Sequence, residues 1–150
     1  MNGNKAVLNV KIDAITVNNG KATGSYSQTR ATSYGSGKTP PSVDAQGNVT
    51  VYEDTNVTFE LEVEGYTFPS GGAAVIRIKD DSGAWHELVP GDSYLTFTID
   101  ASQPSNNNTE LELEDDAADG TSEGVTHPYN LYVVKDGTTY TLDPNFVNRN

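Results

Sequence analysis

The chain has 150 residues, a formal net charge of −12 and no cysteine. The acidic balance argues against nucleic-acid and anionic-membrane binding, because both need a basic surface. The absence of cysteine excludes disulfide bonds and cysteine nucleophiles. No apolar run approaches the roughly 20 residues of a membrane span, and the N-terminus lacks the apolar core of a signal peptide. We therefore expect one domain over residues 1–150 that is cytoplasmic or released as part of an assembly.

Alternation of apolar and polar residues recurs along the chain and predicts β-strands. The first strand, 6–17, changes parity near Asp13, which predicts a β-bulge. Further strands are predicted at 21–27, 49–52, 57–64, 73–79, 94–99, 110–114, 129–135 and 138–142, and residues 80–83 are predicted to form a turn that leads to Trp85. The pair Asp136-Gly137 between the last two is typical of a type I′ hairpin. About eight or nine strands predict an all-β fold, a single antiparallel Ig-like β-sandwich.

The clearest alternation gives the predicted core. Along 57–64, the apolar side chains share one face and three glutamates, Glu60, Glu62 and Glu64, share the other. We interpret the acidic row as a device that repels incoming strands. The predicted buried residues are Val57, Phe59, Leu61, Val63, Leu95, Phe97, Ile99, Leu131 and Val133.

Charge separates the N-terminal segment from the rest of the chain. Residues 1–41 contain five basic residues and one acid, whereas residues 42–150 contain four basic residues and twenty acids. A Gly/Ser/Thr-rich stretch, 27–42, follows the predicted hairpin and is predicted to be a loop. The hairpin could therefore reach a second copy and bury Leu8, Val10 and Ile12 there by strand exchange. The alternative is that the segment folds onto its own sandwich.

Two short motifs suggest enzymes but lack their structural setting. Gly35-Ser-Gly-Lys-Thr39 is followed by two prolines instead of the helix of a phosphate-binding loop. Gly120-Thr-Ser-Glu-Gly124 lies in an acidic loop instead of a strand–turn–helix elbow, so Ser122 and His127 do not predict a catalytic triad. We therefore expect no catalytic residues.

The acidic loop offers candidate calcium ligands. Its carboxylates Asp115, Asp116, Asp119 and Glu123 are hard oxygen donors, and Gly120 permits a sharp turn. The spacing does not match an EF-hand, because the third position is Ala117. The alternative is a solvated loop that keeps the protein soluble, and no other cofactor is expected.

Aromatic side chains leave carbohydrate open as a ligand. Tyr34, Tyr66, Trp85 and Tyr132 could stack on sugar rings. The alternative is ordinary packing within a sandwich.

The C-terminal segment, Tyr129-Asn-Leu-Tyr-Val-Val-Lys-Asp-Gly-Thr-Thr-Tyr-Thr-Leu-Asp-Pro-Asn-Phe-Val-Asn-Arg149, ends a hairpin in Asp143, Pro144 and Phe146. In this it resembles small bacterial β-sandwich proteins of the AidA/PixA inclusion-body type. The resemblance covers about the last twenty residues and implies a β-sandwich without catalytic residues, sometimes stored as ordered assemblies. Pro144 would also end the last strand, since proline cannot donate to a ladder.

These observations favour a non-catalytic structural or interaction protein. The expected role is that of a β-sandwich subunit in a homo-oligomeric, filamentous or virion-type assembly, whose partner is a second copy of the chain. The alternative is a binding module for carbohydrate or calcium.

Overall fold

A computed structural model describes residues 5–99, 104 and 107–149. This part of the chain contains thirteen strands: β1 (Ala6–Asn18), β2 (Lys21–Thr32), β3 (Ser42–Val43), β4 (Val49–Val51), β5 (Thr55–Leu61), β6 (Ile76–Lys79), β7 (Trp85–Leu88), β8 (Ser93–Tyr94), β9 (Phe97–Ile99), β10 (Glu110–Asp115), β11 (Val125–Lys135), β12 (Thr138–Leu142) and β13 (Asn145–Asn148). The predicted all-β fold is confirmed. No helix suited to crossing a membrane occurs among these residues.

The strands form two mixed sheets that pack together as a β-sandwich. Sheet one has the order β2-β1-β5-β10-β9-β8, and sheet two has the order β3-β4-β13-β11-β6-β7, with β12 also paired to β11. Two neighbouring pairs are parallel, β1 with β5 and β4 with β13. The prediction of a purely antiparallel sandwich is therefore wrong. Two parallel strands cannot be joined by a tight turn, so no local sequence pattern predicts that they pair.

Most of the predicted core is confirmed. The side chains of Val57, Phe59, Leu61, Phe97, Ile99, Leu131 and Val133 are each at most 3% exposed. They pack with a cluster of three rings in which Phe146 lies 4.3 Å from Tyr129 and 4.9 Å from Phe97, measured between ring centroids. Val63 is only partly buried, because β5 ends at Leu61 and the following residues turn away from the sheet.

Leu95 is the clear error in the predicted core. The expected strand 94–99 is a hairpin, in which Tyr94 pairs with Phe97 and a two-residue turn separates β8 from β9. Leu95 is the first residue of that turn, with φ of 55°, and its side chain is 54% exposed. The chain reversal removes Leu95 from the face that Phe97 and Ile99 share.

The N-terminal hairpin belongs to the sandwich of its own chain. Leu8, Val10 and Ile12 are fully buried on β1, which lies between β2 and β5. The predicted bulge is confirmed as a register shift between Ile12 and Ala14. Residues 27–32 continue β2, so the prediction of a loop there was wrong.

Pro144 interrupts the last strand without ending the sheet. β12 and β13 both pair with β11, one on each side of the Asp143-Pro144 break. The Pro144 carbonyl accepts a hydrogen bond from the Tyr129 amide at 3.0 Å, so the break is tied to β11. In the sequence, Pro104 and Asn106-Asn107-Asn108 predict a loop at 101–109, and this segment lies mostly outside the described residues.

Candidate functional site

A hollow of about 340 Å³ opens at the edge of the sandwich formed by β8 and the β6–β7 turn. Its lining comes from residues 80–82, from Tyr94 and Leu95, and from Asp119, Val125 and His127. β8 is the edge strand of sheet one opposite β2, so this hollow and the N-terminal hairpin lie at opposite edges of the sheet. We call it the Leu95 hollow.

The β6–β7 turn forms one rigid wall of the Leu95 hollow. Asp80 Oδ1 accepts hydrogen bonds from the Ser82 amide and hydroxyl and from the Ala84 amide, at 2.7–2.9 Å. Its other oxygen, Oδ2, lies 2.6 Å from His86 Nε2. The Ser82 hydroxyl, His86 and the Ala84 amide together lower the pKa of Asp80. The His86 ring stacks on Tyr94, with centroids 4.0 Å apart, and so joins the turn to β8.

The contacts of His127 fix the wall of the Leu95 hollow that faces the β6–β7 turn. His127 is 4% exposed, and its Nε2 lies 2.7 Å from Asp119 Oδ2. Asp119 Oδ1 accepts a hydrogen bond from Asn148 Nδ2, also at 2.7 Å. The His127 ring meets the edge of Phe97, with centroids 5.3 Å apart. These contacts connect the acidic loop to β9, β11 and β13.

A buried polar network continues behind Asp119. Asn148 Nδ2 donates to the Thr96 hydroxyl at 3.0 Å, and that hydroxyl donates to Asp115 Oδ1 at 2.9 Å. Asp115 and Asn148 have no exposed surface, and within the described chain no donor reaches Asp115 Oδ2 or Asn148 Oδ1. Burial raises the pKa of Asp115 to about 7, against the lowering effect of the Ala117 amide and the Thr96 hydroxyl.

The four candidate calcium ligands are placed in different environments. Asp115 is buried, and the Asp119 carboxylate is hydrogen-bonded to His127. The Asp116 carboxylate accepts a hydrogen bond from the Ala118 amide, and Glu123 is exposed. Over residues 5–99, 104 and 107–149, no three His, Asp or Glu side chains are grouped to hold a metal ion.

The catalytic motif that the sequence suggested is not assembled around Ser122. His127 Nε2 is engaged by Asp119, and the Ser122 carbonyl accepts from Arg149 at 2.7 Å. Ser122 is exposed, whereas His127 is buried.

The four candidate sugar-stacking aromatics are divided among three places. Trp85 and Tyr132 lie near each other on sheet two, where Arg77 covers the Trp85 ring at 4.4 Å and Tyr132 Oη donates to Glu87 at 2.7 Å. Tyr66 is buried against Tyr140, whereas Tyr34 is 56% exposed.

The opposite edge of sheet one presents the outer half of the N-terminal hairpin. From residue 13 to residue 25 only Ile15, Ala22 and Gly24 are partly buried, and all other residues are exposed. β2 is an edge strand of 12 residues, and the Tyr26 amide on its outer side donates to the Ala45 carbonyl. Strand alternation directs the amides of Ala22 and Gly24 to the same open side.

Tyr26 anchors this hairpin where it leaves the core. A side chain at Gly47, which has φ of 87°, would place its Cβ 2.6 Å from the Tyr26 ring. Gly47 is itself held by a hydrogen bond from Tyr129 Oη to its carbonyl at 3.0 Å. The buried base of the hairpin is therefore fixed, while its outer half stays accessible.

The sequence indicated the acidic loop but not the residues that complete the site. Thr96 and Asn148 join the loop from distant strands, and no motif links them to Asp115. No protein-family model matches the chain, and no curated protein is significantly similar to it.

Proposed function

We propose that this chain is a non-catalytic structural or interaction protein that associates with copies of itself. The observation that carries the proposal is the outer half of the β1–β2 hairpin, an accessible two-stranded ribbon on a long sheet edge. Unpaired backbone groups on such an edge are a template for pairing with another chain. An Ig-like arrangement of the two sheets is our proposal for the finer fold class.

Charge supports self-association. Lys5 pairs with Glu114 at 3.0 Å, and Lys11 lies within 3.6 Å of Asp13 and Glu62. Lys21, Arg30 and Lys38 form no ion pair in the described part of the chain and are exposed. They leave a basic surface on the N-terminal segment of a protein whose net charge is −12. Opposite charges on two copies steer their encounter.

The test is sedimentation of the full chain over a range of concentrations, with electron microscopy of the assembled fraction. We expect association that strengthens with concentration. A matched variant replaces residues 15–24 by Asn-Gly, a two-residue loop that closes the paired residues Ala14 and Ser25. This variant should stay folded and lose association. A wild-type chain that remains monomeric at every concentration would contradict the proposal.

Carbohydrate binding is the second candidate, and one observation favours it. Trp85, Glu87, Arg77 and Tyr132 share the outer face of sheet two, because Arg77 pairs with Glu87 and Trp85 pairs with Lys79. An aromatic ring beside hydrogen-bonding groups suits a sugar. A glycan array probed with the wild-type chain and with Trp85→Ala tests this candidate. Binding of a glycan by the wild type alone would support it.

A further inference from the structure

The described chain leaves very few large apolar side chains exposed. They are Val17 at 40%, Tyr34 at 56% and Leu95 at 54%. Val17 and Tyr34 belong to the basic N-terminal segment, whereas Leu95 stands at the rim of the Leu95 hollow on the opposite edge of sheet one. One exposed apolar side chain therefore lies at each of two opposite edges of sheet one, Val17 on the hairpin and Leu95 beside the hollow.

These two edges also differ in charge. Val17 lies close to the hairpin turn Asn18-Asn19-Gly20, and the unpaired Lys21 follows that turn. The Leu95 hollow carries Asp80, Asp81 and Asp119, of which Asp81 is exposed and has no ion pair among the described residues. Asp80 and Asp119 already face the two histidines, so Asp81 is the carboxylate left for a cation from outside. Each edge thus offers an apolar side chain and a charge of opposite sign. On the hairpin, Val17 pairs with Ala22 and Lys21 pairs with Asn18, so the two side chains lie on opposite faces of its tip.

From this complementarity we infer that the chain assembles head to tail, with the β1–β2 hairpin tip of one copy seated in the Leu95 hollow of the next. Val17 contacts Leu95, and the Lys21 ammonium approaches the Asp81 carboxylate. This inference rests on the proposed self-association and specifies its geometry.

The size and rigidity of the hollow suit this occupant. A volume of about 340 Å³ is at the small end for binding pockets and fits the side chains of a turn better than a large ligand. Its walls are fixed by the Asp80–His86 and Asp119–His127 contacts. Docking onto fixed walls loses little conformational entropy on the receptor side.

The position of the two surfaces decides the form of the assembly. They are different patches, so the contact is heterologous and each bound copy exposes a free hairpin at one end and a free hollow at the other. Such contacts continue into an open chain unless the rotation closes a ring.

The test uses two single variants of the full chain, Lys21→Glu and Asp81→Lys, measured separately and mixed. Lys21→Glu keeps an intact hollow, and Asp81→Lys keeps an intact hairpin. We expect each variant alone to associate about tenfold or more weakly than the wild type, because each contact then brings two charges of the same sign together. The equimolar mixture should regain association and grow into chains in which the two variants alternate, since Lys21 then meets Asp81 at one contact and the two substituted side chains, of opposite charge, meet at the next.

Two matched controls are available. Lys135→Glu, at the end of β11, and Glu64→Lys make the same charge changes outside both surfaces. They should assemble as the wild type does, and circular dichroism should show every variant folded. The double variant Lys21→Glu/Asp81→Lys should regain association, because the charges are exchanged.

The outcomes separate this inference from the proposed function. A wild-type chain that associates while both single variants associate equally well overturns the hairpin–hollow contact and leaves self-association standing. Single variants that fail to associate alone and also fail to associate when mixed overturn the head-to-tail geometry. A monomeric wild type overturns both proposals.

Discussion

Leu95 and Phe97 are two residues apart, yet Leu95 is 54% exposed and Phe97 has no exposed surface. A leucine in the left-handed region is strained, because its Cβ approaches the following carbonyl. Its position in a two-residue turn puts this bulky apolar side chain on the surface instead of in the core. Phe97, in contrast, contacts Phe146 and His127 at the centre of the ring cluster.

Alanine substitutions at these two residues should therefore have very different effects on stability. Phe97→Ala should lower the free energy of unfolding by roughly 3–5 kcal/mol, because it opens a cavity among packed rings. Leu95→Ala should lower it by less than about 1 kcal/mol, since the lost side chain contacts mainly solvent. Chemical denaturation monitored by fluorescence of Trp85 measures both. Equal losses would contradict the hairpin between β8 and β9.

Asp115 should make stability depend on pH. Burial raises its pKa in the folded chain to about 7, above the ordinary value of 3.8. Between about pH 4 and pH 7 the folded state then holds a proton that the unfolded state has lost, so the free energy of unfolding falls as pH rises and levels off above pH 7. Asp116 and Asp119 oppose ionisation of Asp115, and His127 faces Asp119 on the same side.

The substitution Asp115→Asn tests this dependence. Its amide cannot ionise and has nearly the shape of the carboxyl group. Thermal melting from pH 4 to pH 8 should show a flatter stability profile than the wild type, by an amount on the order of a few kcal/mol across the range. Thr121→Asn, on the exposed part of the same loop, serves as the control. A wild-type profile that falls no more steeply between pH 4 and pH 7 than the Asp115→Asn profile would contradict the raised pKa of Asp115.

Among the strands, the N-terminal hairpin has two parts with different roles. Its base contributes Leu8, Val10, Ile12 and Tyr26 to the core, whereas its outer half is almost entirely exposed. The bulge at Asp13 marks the boundary between the two parts. An element can therefore be essential to the fold at one end and available to a partner at the other.

Shortening the hairpin should hardly change the stability of the monomer. The variant that replaces residues 15–24 by Asn-Gly keeps all four core residues and loses mainly partial contacts of Ile15 and Ala22. We expect a loss below about 2 kcal/mol in the free energy of unfolding. Deletion of residues 1–20 should instead prevent folding, since it removes the neighbour of β5 and four buried side chains, those of Ala6, Leu8, Val10 and Ile12. Circular dichroism and thermal melting distinguish these outcomes.

The strands that the sequence predicted best are those with a complete local signal. The alternation of apolar and polar residues predicted β5 and β10, and the Asp136-Gly137 turn predicted the hairpin of β11 and β12. The change in which residues of β1 are apolar, near Asp13, predicted its bulge. The β8–β9 turn was missed because Leu95 and Thr96 are not typical turn residues. β13 was missed because Pro144 precedes it and because its pairing with β4 depends on residues 97 positions apart, as between Asn145 and Asn48. The network of Thr96, Asp115 and Asn148 requires the same distant pairings, so alternation could not reveal it.

For the whole molecule, charge affects folding and association in opposite directions. A net charge of −12 repels itself within one copy, so added salt should raise the melting temperature of the monomer. Association between the basic hairpin and an acidic neighbour should weaken with salt, because exposed charges are screened within about 10 Å at 0.1 M. Melting of the shortened-hairpin variant and sedimentation of the full chain, each at low and high salt, measure the two effects separately. Association that strengthens with salt would indicate a contact dominated by apolar surface.

The parallel pair of β4 and β13 has a consequence for the time course of folding. β13 occupies the place between β4 and β11, so sheet two stays incomplete until residues 145–148 have left the ribosome. Until then β4 has no parallel neighbour, and Asn48 lacks the contact with Asn145. Pairings over such sequence separations are slow to form, so folding on the millisecond-to-second scale is expected once β13 has been released. During that interval the apolar edges of the unfinished sheet are open to other nascent chains.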